Sequence, residues 1–335
     1  MRGWWQDLTD LVLPAECGGC GRPRTVLCPE CRAVLSGTAP SRVRPVPEPP
    51  GLPVVHAAAR YADEVRAVLL AHKERGALAL AAPLGAALAG AVTVALSRGS
   101  RAPARGAERF GNTGAPVLLV PVPSARGAVR ARGHDPARRI ALAAAGELRR
   151  AGMAARVLAV LRQGRAVADQ SGLNSRQRLD NLAGALTVAP GGGRLLTGGG
   201  PVVLVDDLMT TGASLAEAAR AVRAALTEQA GLDRTERSGA VRDWVESAGV
   251  YGRTAGEADA YGWGTVERGA GGGGATVVYA TGSRERTGER TAASLEGAVR
   301  RTCERPGIMG AGGPRDLICA AVVAASPDSF EINRN

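Results

Sequence analysis

Lysine is almost missing from this 335-residue chain: of 42 basic residues, only Lys73 is lysine and the rest are arginine. Aromatic residues are scarce as well, at 3%, which leaves little surface on which nucleic-acid bases could stack. The N-terminal stretch MRGWWQDLTDLVLP lacks the pattern of a secretory signal, because Asp7 and Asp10 interrupt it and no small-residue cleavage site follows. One segment, Ala77–Leu96, is free of charge over a length that could cross a bilayer. It is mostly Ala and Gly with Pro83 inside, so its transfer into lipid would gain little. We expect a helix buried on a sheet there, no membrane span, and a cytoplasmic location.

What is present in excess is positive charge. The formal net charge of +11 favours polyanions such as phosphates or DNA. The Arg and Ala bias runs through the whole chain, so it singles out no nucleic-acid face. Composition divides the chain into regions. Residues 1–36 hold four of the six cysteines, and residues 39–53 hold six prolines and read as a stiff, extended linker. From about 54 to 226, helical Ala/Leu patterns alternate with short β-branched runs, the signature of an α/β domain with a mainly parallel sheet. Val117–Val122 and Val202–Val205 are the clearest strands, and Pro136–Ala151 and Ser214–Ala225 the clearest helices. Residues 227–314 are rich in Gly, Thr, Glu and Arg without a sustained period, and are expected to form a mobile insertion with one strand at Ala275–Ala280. Leu317–Ala325 then resumes as a buried strand. The expected organisation is therefore 1–36, a linker at 37–53, and a domain from 54 to 335 interrupted by the insertion.

The stretch PVVLVDDLMTTGAS at Pro201–Ser214 carries the most chemistry. A buried strand that delivers Asp206 and Asp207 at its C-terminal end places them where open α/β sheets bind ligands. Thr210, Thr211, Gly212, Ala213 and Ser214 then lead into a helix. The glycine allows close backbone approach, and the helix start favours a phosphate. Acids beside a phosphate seat fit a ligand that has hydroxyls next to its phosphate, and ribose 5-phosphate has that layout. Farther upstream, Ser124, Arg126, Arg130 and Arg132 follow the turn after the strand at 117–122, and guanidinium groups suit diphosphate oxygens. Lys73 is a further cation whose compact ammonium would suit a phosphate. The polar stretch Arg162–Leu186, with Arg162, Gln170, Arg176, Arg178 and Asn181, reads as a lid able to exclude water.

Val203–Ser214 resembles the signature of phosphoribosyltransferases that use 5-phosphoribosyl 1-diphosphate (PRPP). In order along the chain, Lys73 with Gly76, Pro121 with Pro123, Arg132 with Gly133, Gln170, Leu173, Arg178, Asn181 and the 206–214 loop resemble the ComF (GntX-like) branch more closely. That resemblance covers 1–226 and resumes at 317–335. It implies a three-layer type I phosphoribosyltransferase fold with an N-terminal zinc ribbon, and Mg²⁺ bound together with PRPP. It also implies pentosyl transfer to an acceptor with release of pyrophosphate, the carboxylates at 206 and 207 supporting the ribose ring. Thr210 stands where purine-salvage relatives carry an acid, which points away from purine acceptors. The family is also linked to competence and DNA uptake, which adds single-stranded DNA and a helicase to the expected partners, beside PRPP and a second copy of the chain. A non-catalytic role in DNA uptake and a ligand-binding regulator are the competing readings. Two features depart from the family pattern: His134-Asp135-Pro136 ahead of a helix, and the insertion at 227–314.

Cys17, Cys20, Cys28 and Cys31 form two Cys-x-x-Cys knuckles separated by seven residues. Four soft sulfurs suit tetrahedral zinc with no open coordination position. Two disulfides or an iron–sulfur centre are the alternatives, and disulfides are disfavoured in a reducing compartment. Cys303 and Cys319 are expected to be plain thiols.

Overall fold

A computed structural model describes residues 16–99, 115–165, 175–198, 200–251 and 318–330. Gln170, Leu173, Cys303 and the strand expected at Ala275–Ala280 lie outside these residues. The chain divides into two compact units, Met1–Leu232 with Gly313–Asn335, and Asp233–Gly312.

In the first unit a six-stranded sheet runs in the order β1-β2-β8-β7-β3-β4. Its strands are β1 (Ser41–Val43), β2 (Val55–Arg60), β3 (Val117–Pro121), β4 (Ala155–Val157), β7 (Val202–Met209) and β8 (Ile318–Ala325). All neighbours pair in parallel except β1, which runs antiparallel to β2. The parallel strands are near-continuous apolar runs because both of their faces are covered. Val203 and Val205 pack into one apolar cluster, Val202 and Leu204 into the other, as the two-residue period of a strand requires.

Helices cover both faces. The first carries α2 (Asp63–Lys73), α3 (Ala81–Gly99) and α5 (Pro136–Arg150). The second carries α7 (Gly192–Thr197), α8 (Ala213–Tyr251) and the hairpin of β5 (Leu161–Gln163) with β6 (Leu186–Val188). The one described segment long and apolar enough to span a membrane, Leu78–Ser97, joins a short 3-10 turn to most of α3, and 56% of its apolar window is buried inside the protein. Its Pro83 falls in the first helical turn, where no intrahelical N–H is required. At Gly85 a Cβ would collide with Ala143 and the Ala144 backbone, so glycine sets how closely α3 approaches α5. At His134-Asp135-Pro136 the helix start is well formed: Asp135 caps α5 by accepting a bond from the Arg138 amide at 3.2 Å, and Pro136 follows in the first turn.

Three expectations need correction. The segment expected as a pure linker contributes β1, so its backbone pairs with the sheet edge. The strand ending at Val205 continues to Met209 and carries both aspartates inside it. The helix expected to stop at Ala225 runs on to Tyr251, into residues assigned to the insertion. The extension holds no proline, and each of its isolated glycines costs only about 1 kcal/mol in a helix.

Candidate functional site

The site is set by topology. Chain leaves β3 toward β4 on one side, through α5, and leaves β7 toward β8 on the other, through α8. Strands β3 and β7 are neighbours, so the crevice between their C-terminal ends is the switch point where open α/β sheets bind ligands. The segment 121–133 and the segment 206–214 leave the sheet at this place. Two stretches some 80 residues apart in sequence are thereby brought together.

Asp207 is 5% exposed, and its Oδ2 lies 3.0 Å from the Lys73 ammonium at the end of α2. Asp206 is half-buried, and its Oδ1 accepts the Asp207 amide at 2.8 Å. Burial and the adjacent Asp207 charge push the Asp206 carboxyl well above the usual carboxylate range, against the pull of Lys73. Partial burial works against the Lys73 charge, yet Asp207 and Asp206 together hold its ammonium above the ordinary lysine range. The one lysine of the chain thus serves the acid pair.

Gly212 adopts φ +75°, and a Cβ there would lie 3.2 Å from both Leu52 and Pro45. The proline-rich segment therefore closes down on the back of the loop, held also by a bond from Arg223 Nη1 to the Gly51 carbonyl at 2.7 Å. Gly212→Ala is expected to cost about 1–2 kcal/mol from the left-handed backbone alone, read as a lower midpoint in urea. Ala213 is buried against Leu182 and Ala185, residues of the stretch expected as a lid. Thr211 and Ser214 are half-buried, and exposed Thr210 receives a bond from Arg178 Nη1 at 3.4 Å.

The lid residues fall on β5 and on α6 (Ser175–Leu182). Arg178 reaches the 206–214 loop, whereas the Asn181 carbonyl accepts from Arg165 at 2.9 Å. Arg162 sits on β5, and Arg176 on α6.

The basic residues divide between two hollows. Lys73 and Arg132 line one of about 540 Å³ with Glu74, Arg75, Gly76 and His134. Ser124, Arg126, Arg130 and Arg162 line a second of about 320 Å³. Residues 206–214 line neither. Arg132 already pairs with Glu74 at 2.8 Å.

Two groupings were not legible in the sequence. His134 sets Nδ1 3.2 Å from the Arg132 carbonyl and Nε2 3.2 Å from the His72 carbonyl, joining the ends of α2 and of α4 (Arg126–Arg132). The rings of His72 and His134 are 5.5 Å apart. Burial holds His72 below the usual imidazole range. The second grouping anchors the β5–β6 hairpin. Buried Glu217 accepts the Leu186 amide at 2.9 Å and pairs with Arg220, which donates to the Leu186 carbonyl at 2.8 Å. Burial opposes ionisation of Glu217, but Arg220 and the Leu186 amide outweigh it and hold the carboxyl below its usual range. A depressed carboxyl contributes stability that is present above its unfolded value, about 4.3, and is lost as pH falls through the folded one. Glu217→Gln is expected to cost about 1.5–3 kcal/mol at pH 7 and less below pH 4, measured by urea unfolding at both pH values.

The four cysteine sulfurs all lie within 4.8 Å of one another, with Cys20 and Cys28 Sγ 3.6 Å apart. Zn–S bonds of about 2.3 Å place tetrahedral sulfurs about 3.8 Å apart, so the four cysteines fit a structural metal such as zinc. Amide donors support the sulfurs: Cys28 N to Cys17 Sγ at 3.3 Å and Cys31 N to Cys28 Sγ at 3.5 Å. At Gly19 a Cβ would stand 2.6 Å from Cys31 Sγ, so the first knuckle requires glycine. The second knuckle opens α1 (Pro29–Ser36). Cys17, Cys28, Cys31 and Leu35 share one apolar cluster with α2 and α3, so the metal site is built into the first face of the sheet. Burial pushes the Cys319 thiol up to about 12, in keeping with an inert thiol on β8.

No family model and no curated protein matches this chain.

Proposed function

We propose that the chain is a phosphoribosyltransferase that binds PRPP, with Mg²⁺, in the crevice between the ends of β3 and β7, and passes the phosphoribosyl group to an acceptor as pyrophosphate leaves. The observation that carries this reading is the meeting of Asp206, Asp207 and the Thr210–Ser214 turn with the Arg-bearing segment 124–132 at one switch point, with Lys73 joined to Asp207. The first-turn amides of α8 have no intrahelical acceptors, and with the hydroxyls of Thr210, Thr211 and Ser214 they would hold the 5-phosphate. Asp206 and Asp207 would face the ribose hydroxyls and the positive charge that grows on the ring as the C1–O bond breaks. Their oxygens are the hard donors suited to Mg²⁺, which would neutralise the diphosphate. Bound substrate would draw Lys73 between Asp207 and a phosphate oxygen. The electron pair of the broken bond leaves with pyrophosphate, and the acceptor nucleophile bonds to C1. The hairpin, held to α8 through Glu217 and Arg220, would exclude water from that step.

Calorimetric titration with PRPP and Mg²⁺ tests this. The wild-type chain is expected to bind, and the Asp206→Asn/Asp207→Asn double variant to lose at least about 100-fold in affinity, the worth of about two charge-assisted hydrogen bonds. Equal binding by both proteins, or by neither, contradicts the reading.

A further inference from the structure

Helix α4 is a wall with two basic sides. Ala128, Ala131 and Arg132 line the larger hollow, while Arg126, Val129 and Arg130 line the smaller one, in keeping with helical spacing. One leaving diphosphate needs one seat. The hollow that holds Lys73, itself bonded to Asp207, is the one connected to the acid pair. The second hollow is then basic without a task.

Its lining is specific. Arg126 and Arg130 come from α4, Arg162 and Gln163 from β5, and Ser124 from the turn between β3 and α4. Its acid, Asp135, is engaged in capping α5. Arg126, Arg130 and Arg162 make no ion pair with the described residues. Val129 and Leu161 add apolar contact. At about 320 Å³ the hollow is at the small end of ligand sites, which run from about 300 to 1,000 Å³. Guanidinium forks grip a carboxylate through two parallel bonds, and the apolar pair would lie against a ring.

The geometry points to the α4–β5 hollow as the seat of the acceptor, and to that acceptor as a small ring bearing a carboxylate. The inference rests on the transferase reading and adds its missing substrate class. Arg126 and Arg130 thereby pass from the pyrophosphate to the acceptor, and Arg162 becomes a recognition residue instead of a closing one.

Two pairs of probes test it: nicotinate against nicotinamide, and orotate against uracil, each titrated into the protein alone and into the protein with PRPP and Mg²⁺. At least one carboxylate member is expected to bind tenfold or more tightly than its neutral partner. That advantage should fall below twofold in both Arg126→Gln and Arg162→Gln, whose melting points should stay within about 2 °C of the parent because both side chains are exposed. Equal binding within both pairs, binding of no probe, or a preference that survives both substitutions overturns the proposal. A protein that binds no PRPP removes the transferase reading, while the titrations without PRPP still decide whether the hollow selects carboxylates.

Discussion

At pH 8 the Asp206→Asn variant is expected to melt at a higher temperature than the parent chain, and Lys73→Met at a lower one, although both substitutions neutralise a charge in the same cluster. The opposite signs follow from the surroundings of each group. The Asp206 carboxyl is held well above its usual range by burial and by the Asp207 charge. A carboxyl raised in the folded state favours folding while it keeps its proton. Stability is therefore lost as pH rises from the unfolded value, about 3.9, toward the raised one. Asn cannot ionise, so the melting difference between variant and parent should widen from pH 4 to pH 8.

Lys73 is raised as well, but as a cation its contribution is fully present below the ordinary lysine value, about 10.4, and is lost only as pH climbs through the higher folded value. Its removal leaves Asp207, 5% exposed, without its counter-charge. Breaking a fully buried pair costs about 3–5 kcal/mol, and the partial exposure of Lys73 brings this to about 2–3 kcal/mol. Between pH 6 and 9 the cost should grow as Asp206 ionises, because that charge also loses the Lys73 ammonium. Thermal melts across that range check both variants. Under the proposed reading, substrate and cation would neutralise the charge that makes this site costly in the free protein.

The second large effect is expected at the four cysteines, whose sulfurs fit a structural metal such as zinc. Chelation, or Cys28→Ser, should lower the melting point of the whole first unit rather than release a separate small domain. The reason is continuity of packing, because Cys28 and Leu35 are fully buried in the cluster that holds Val68, Leu80 and Leu88. Structural zinc is worth about 10–16 kcal/mol in small zinc peptides, comparable to the stability of an ordinary domain, about 5–15 kcal/mol. One zinc per chain by metal analysis, and a single melting transition that shifts on chelation, are the expected results. An unshifted transition would show that no metal at the four cysteines supports the fold.

How much of this was legible depends on distance along the chain. The run Val202–Val205 followed by two acids announced a strand and its site, because composition and period are local signals. The Cys-x-x-Cys knuckles were legible for the same reason, and Gly18 and Gly19 show how tightly they pack: a Cβ at either would strike Leu80 or Cys31. The anchor at Glu217 was not. On α8 it lies opposite the apolar stripe of Leu215, Ala218, Ala219 and Val222, which reads as a solvent face. The β5–β6 hairpin covers that face and supplies Leu186, thirty-one residues away. His134 looked like a departure from a pattern, yet its ring joins backbone segments sixty-two residues apart. The division of the arginines between two sides of α4 required the helix to be seen, since all of them fall within one short basic stretch.

The most direct measurement is a crystal structure of the protein soaked with PRPP and Mg²⁺. The account places the sugar at the ends of β3 and β7, its 5-phosphate against the amides that follow Gly212 and its hydroxyls toward Asp206 and Asp207. A sugar phosphate bound elsewhere, or an Asp207 still closed on Lys73 with the crevice empty at saturating PRPP, would contradict it.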